Sequence, residues 1–113
     1  MIEQRDLLLV PFPFSDQSGR KVRPVIVISN NNFNNNSEDI LVVGLTSNIA
    51  KDKYTINLTT NDLEEGKLST TCCIKSENLL KIEKELAIKK IGKVKTSILK
   101  NISSKILEII KEN

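Results

Sequence analysis

Three polar groups stand where a rigid sheet could fix them: Arg23 before one β-branched run, Thr46 with Ser47 after another, and Glu77 after a third. A guanidinium donates two parallel hydrogen bonds to phosphate oxygens and stays charged at any working pH. A threonine hydroxyl is short, and its β-branched side chain restricts where it can point, so it suits positioning better than nucleophilic attack. A carboxylate such as that of Glu77 can accept a proton. Adjacent antiparallel strands alternate in direction, so strand ends far apart in sequence can meet on one rim. The plainer reading makes Arg23 and Glu77 ordinary exposed charges and Thr46 a capped strand end, since functional groups are a minority of ionisable residues.

The missing residue types narrow the chemistry. The chain holds no histidine, which removes the commonest metal ligand and the commonest acid/base group near neutral pH. Histidine-based zinc hydrolysis and Ser-His-Asp catalysis are excluded, and no metal site or cofactor is expected. Cys72 and Cys73 are adjacent; neighbours in an extended chain point to opposite faces, which favours two reduced thiols over a disulfide. A length of 113 residues with 39% hydrophobic content suits a single domain, 1–113, and leaves too little for two cores. No stretch approaches the roughly 20 apolar residues of a membrane span, and the opening MIEQRD lacks the pattern of a signal peptide. A cytoplasmic protein without a membrane partner is expected.

The net charge is +3 and is local. The first 57 residues balance, and the excess gathers in Lys81, Lys84, Lys89, Lys90, Lys93, Lys95 and Lys100. Such a run can attract phosphate, although lysine-rich solvated faces are common.

Periodicity predicts the elements that must position these groups. Strands are expected at Asp6–Val10, Pro24–Ser29, Ile40–Leu45, Tyr54–Leu58 and Thr70–Lys75, with a weaker one at Leu86–Ile91 ending before Gly92. Turn formers fill Pro11–Lys21, and the segment Asn61–Gly66 reads as a turn. The asparagine-rich stretch Asn30–Asp39 has little apolar content and reads as a mobile loop anchored by Phe33 alone. From Thr96 onward, Ile98, Leu99, Ile102, Ile106, Ile109 and Ile110 recur at spacings of three and four. They define one stripe of a terminal helix capped by Thr96 or Ser97. The fold class is mainly β with a C-terminal helix (α+β), a small curled antiparallel sheet or barrel.

The segments Asp6-Leu-Leu-Leu-Val-Pro-Phe-Pro-Phe-Ser-Asp-Gln-Ser-Gly19, Val22-Arg-Pro-Val-Ile-Val-Ile-Ser29 and Val42-Val-Gly-Leu-Thr-Ser47 resemble successive signature blocks of the MazF/PemK family of toxin endoribonucleases. The order and spacing of the three blocks carry the resemblance, which covers nearly the whole chain. It implies an SH3-like antiparallel β-barrel of MazF/PemK/CcdB type, a homodimer, and metal-independent, sequence-selective cleavage of single-stranded RNA. It also implies a cognate antitoxin whose flexible segment covers the cleft. By position, the family's catalytic arginine falls on Arg23 and its catalytic threonine on Thr46. Asp16 and Gln17 match the acidic and amide residues of the first loop, and Glu77 and Asn78 those after the fifth strand. Arg5 stands where the family usually has a glycine before Asp6.

These residue types would suffice for RNA, which carries its own nucleophile, the 2′-hydroxyl, beside the scissile phosphorus. An intramolecular attack leaves the protein to align the reacting atoms and stabilise charge on the phosphorane oxygens. Arg23 and Thr46 suit those tasks, with Asp16 or Glu77 as the candidate base and Ser47 beside the threonine. Phe33 is a candidate stacking platform for an unpaired base, although packed aromatics outnumber exposed platforms. Two other classes stay open: a non-catalytic toxin of the same fold that binds DNA gyrase or another protein, and a plain RNA-binding module.

Overall fold

The computed structural model describes residues 1–12, 21–49 and 52–113. Its strands are β1 (Asp6–Phe12), β2 (Lys21–Val27), β3 (Asp39–Thr46), β4 (Thr55–Leu58), β5 (Leu63–Gly66), β6 (Cys72–Glu83) and β7 (Lys89–Val94). Two α-helices accompany them, a short α1 (Asn31–Asn35) and the terminal α2 (Thr96–Ile110). The strands form one antiparallel sheet in the order β4-β6-β3-β2-β1-β7-β5, curled into a half-barrel that carries α2. The expected fold class is observed.

Apolar residues cover both faces of the central strands, which explains the unbroken β-branched run in β2. One face gathers Leu7, Ile26, Val43, Leu45, Ile56, Leu58 and Ile74 against Ile98 and Ile102 of α2. The opposite face holds a smaller cluster of Leu8, Val10, Val25, Val27, Ile40 and Val42, with Ile2, Leu80, Ile82 and Ala87 at its margin. Both cysteines are free and buried. Burial first, and then Cys73 beside it, pushes the Cys72 thiol up, so it stays protonated near neutral pH.

Several expected elements change. The stretch read as a loop around Phe33 is ordered by polar bonds instead of apolar content. The Asn30 side chain caps α1 by accepting from Phe33 N at 2.8 Å. Asn34, 1% exposed, donates its amide to the Ser29 carbonyl at 2.9 Å. Its own carbonyl accepts from Lys84 Nζ at 2.7 Å. The anchor is therefore Asn34, while Phe33 is 40% exposed. Residues 61–66 comprise the end of a 3-10 turn, Thr60–Asp62, and the edge strand β5. Gly92 lies inside β7, opposite Gly66, whose φ is +88°; two residues without side chains let these strands approach. The α2 N-cap is Lys95, with no side-chain cap bond.

Three of the seven lysines of the run have acidic partners. Lys90 pairs with Asp6 at 3.4 Å and Glu65 at 3.1 Å, Lys93 with Glu3 at 3.1 Å, and Lys81 with Asp39 at 3.9 Å. The hydrogen bond from Lys93 holds the Glu3 carboxyl below its ordinary range. These three lysines fasten β6 and β7 to their neighbours.

Arg5 has φ +78°, a left-handed conformation that suits the glycine it replaces in the family pattern. Its guanidinium holds the position by donating to the Val94 carbonyl at 2.9 Å and to Glu64 at 3.1 Å. Arg5→Ala keeps the unfavourable φ and loses both bonds, whereas Arg5→Gly loses the bonds and relieves the φ. Thermal denaturation should find the glycine variant more stable than the alanine variant by about 1 kcal/mol.

Candidate active site

β2 and β3 pair Val27 with Val42, Ile26 with Val43 and Val25 with Gly44. The pairing ends at Val25–Gly44, and carried two residues further along β2, which reaches back to Lys21, and β3, which runs on to Thr46, that register brings Arg23 level with Thr46. Residues directly opposite in an antiparallel pair share a face, with Cβ atoms about 4.5–5.5 Å apart. Residues 23 positions apart in sequence thus become cross-strand neighbours. Arg23 also pairs with Val10 of β1, Thr46 with Cys73 of β6, and Cys73 with Asn57 of β4. The pair Val10–Arg23 and the run Thr46–Cys73–Asn57 therefore lie level with each other across the sheet. The next row is Leu8-Val25-Gly44-Lys75-Thr55. Both lie on the face of the smaller apolar cluster, and the site is that face's polar end.

A bulge in β6 brings in a further group. Between the pairs Gly44–Lys75 and Val43–Leu79, β6 carries Ser76, Glu77 and Asn78 with nothing opposite them. Asn78 takes up the room above Gly44, where a Cβ would sit 2.5 Å from Asn78 Nδ2 and 3.3 Å from its Cγ. Its amide therefore lies one row from Arg23 and Thr46 on the same face. Gly44→Ala should push this flexible side chain aside and leave the strands in place. If Asn78 contacts substrate, steady-state cleavage should fall about tenfold, the scale of one lost hydrogen bond, with little change in melting temperature.

Thr46 Oγ1 accepts from Asn48 N at 3.1 Å, which fixes the oxygen and leaves the hydroxyl proton as the group it donates. Arg23 and Thr46 are half-buried, and Ser47 is exposed immediately after β3. Glu77 is exposed inside the bulge, so Glu77 and Asn78 lie within a strand and not beyond its end. Asp16 and Gln17 lie outside the described residues. Phe33 is not brought to the pair: α1 joins the end of β2 to the start of β3, and Arg23 and Thr46 occupy the opposite ends of those strands. Four strand steps of about 3.3 Å separate Arg23 from Val27 before the turn into α1 begins.

Lys75 is the residue that sequence reading missed. It is half-buried and paired with Gly44, hence on the same face as Arg23 and Thr46. Its signal was the alternation Cys73-Ile74-Lys75, legible only once the register with β3 is known. Two cations, a hydroxyl and an amide thus share one small patch, a donor set that can hold a phosphodiester and neutralise charge developing on it. Among the described residues there is no group of three or more His, Cys, Asp and Glu side chains able to hold a metal ion.

Solved structures of similar fold come from several bacteria. A chain of the MazE-MazF crystal structure (form III) from Deinococcus radiodurans superposes with a TM-score of 0.80 at 14% identity, covering 99% of this chain and 98% of that one. The Mycobacterium tuberculosis toxin MazF-mt6 gives 0.77 at 14% identity over 96% and 99%. An endoribonuclease in complex with its cognate antitoxin, from a mycobacterial species, gives 0.76 at 14% identity over 100% and 98%. No curated protein sequence matches the chain. At such identities these likenesses show the fold, and membership rests on the sequence pattern itself: over residues 3–110 the chain matches, and belongs to, the family of PemK-like, MazF-like toxins of type II toxin-antitoxin systems.

Proposed function

We propose that this toxin, a single domain over residues 1–113, is an endoribonuclease that cuts single-stranded RNA to arrest translation and growth. The reading is supported by the register of β2 and β3, which, carried to the strand ends, brings Arg23 and Thr46 level on one face. In the reaction the 2′-oxygen forms a bond to phosphorus as the bond to the 5′-oxygen breaks. The 2′-hydroxyl proton passes to a base and the leaving oxygen gains one. The products are a 2′,3′-cyclic phosphate and a 5′-hydroxyl. Arg23 holds the phosphate oxygens, Thr46 donates its hydroxyl to the same group, and the exposed carboxylate of Glu77 is the described candidate for the base.

The working form is a homodimer neutralised by a cognate antitoxin. Support comes from the side chains of Leu107 and Ile110, 62% and 70% exposed at the end of α2, and from neighbours of the same fold crystallised with antitoxins. The site of action is the cytoplasm, where transcripts are found; among the described residues no helix is long and apolar enough to cross a membrane.

Incubating purified protein with a long single-stranded RNA in excess chelator, and mapping the ends, tests the reading. Discrete cuts with cyclic-phosphate ends are expected. Uncut RNA together with growth arrest on expression would overturn it in favour of a protein target such as DNA gyrase.

A further inference from the structure

A hollow of about 340 Å³ opens between the 3-10 turn after β4 and the chain entering β6. Among the described residues it is lined by Thr59, Thr60, Asn61, Leu68, Ser69, Thr70 and Thr71, none of which is charged. β4 and β6 end their pairing at Leu58 and Cys72, so Thr59 and Thr71 are the next residues out on the two strands. Cys73, two residues in from Thr71, is opposite Thr46. Two strand steps of about 3.3 Å and one strand spacing of about 4.8 Å therefore separate Thr71 from Thr46. The hollow lies at the same rim as the phosphate-holding pair, within reach of a neighbouring nucleotide.

Its walls are fixed in advance. Leu68 N donates to Thr60 Oγ1 at 3.1 Å, and that hydroxyl donates to the Leu68 carbonyl at 3.3 Å. Thr59 N donates to Asp62 Oδ2 at 2.9 Å, completing a capping box across the 3-10 turn. A preformed hollow at the small end of the range for ligand pockets, about 300–1,000 Å³, binds without first paying for order. Neutral hydroxyls and an amide offer donors and acceptors to a flat uncharged group, and Leu68 offers an apolar surface. Among the described lining residues a phosphate would find no cation, whereas a nucleobase presents both an apolar face and hydrogen-bonding edges.

We propose that this hollow is a nucleobase subsite that receives one unpaired base beside the scissile phosphate and reads its edge through Asn61 and Thr71. The proposal rests on the nuclease reading for its place in the reaction, and binding tests it separately. Non-cleavable 2′-O-methyl trinucleotides carrying each base, and one with an abasic centre, would be titrated into the ¹⁵N-labelled full chain. The Asn61 side-chain amide should shift with the base-bearing probes, to an extent that depends on the base, and not with the abasic one. In cleavage mapping, Asn61→Ala and Thr71→Val should lower the base preference at one position flanking the cut by about tenfold. Both residues are exposed, so neither change threatens the fold.

Normal cutting with no base-dependent shift would overturn the subsite and leave the nuclease standing. A base-dependent shift without cutting would support the subsite and remove the nuclease. A shift produced equally by the abasic probe, or only by an antitoxin polypeptide, would overturn the proposal in favour of a backbone or protein contact.

Discussion

Arg23→Ala should slow RNA cleavage by two to three orders of magnitude, a loss of about 2.7–4 kcal/mol of transition-state stabilisation, as when one preorganised oxyanion donor is removed. Arg23 stands beside the buried apolar side chains of Val10, Leu8 and Val25. Its charge therefore acts beside a poorly solvated wall, where it interacts more strongly than in open water. Arg23→Lys should recover part of the loss, because an ammonium keeps the charge but lacks the planar two-bond fork. Single-turnover cleavage of a defined oligonucleotide, with a melting curve to confirm folding, measures both. Full activity in the alanine variant would refute the assignment.

Thr46→Val preserves the shape of the side chain and removes only the hydroxyl. A hydrogen bond to a charged group contributes about 1.5–3 kcal/mol, so the rate should fall roughly 10- to 100-fold. Loss of the acceptor for Asn48 N also loosens the chain leaving β3, and the variant should be slightly less stable. The informative measurement is the double variant with Arg23→Ala. If both groups hold one phosphate, the combined loss should be smaller than the sum by at least about 0.5 kcal/mol, as for residues sharing a partner. Strict additivity would mean that the two side chains act on different groups.

How much of this was legible in the sequence depends on which physical signal each part leaves. The strands carrying Arg23 and Thr46 were legible because β-branched runs mark sheet interiors, and α2 because its isoleucines recur at helical spacing. The meeting of Arg23 with Thr46 was not, since register depends on which residues of two strands face each other. Without it, only the family resemblance linked them. The α1 segment was misread because its order comes from Asn30 and Asn34 satisfying backbone groups, a signal that apolar content does not register. The second half of β6 was missed for a different reason. Ser76-Glu77-Asn78 interrupts the alternation, so a reading based on period two stops at Lys75 although the strand runs to Glu83.

That same three-residue excess also governs the packing beyond it. Leu80 faces Val42 and Ile82 faces Ile40 only because an odd number of residues has been inserted after Lys75. Deleting one of the three would either stretch the remaining pair or slip the pairing, turning Leu80 and Ile82 away from their apolar partners. Changes in chain length at this point therefore cannot adjust Glu77 and Asn78 alone. Redesign of the cleft's polar side should therefore proceed by substitution, never by single-residue trimming.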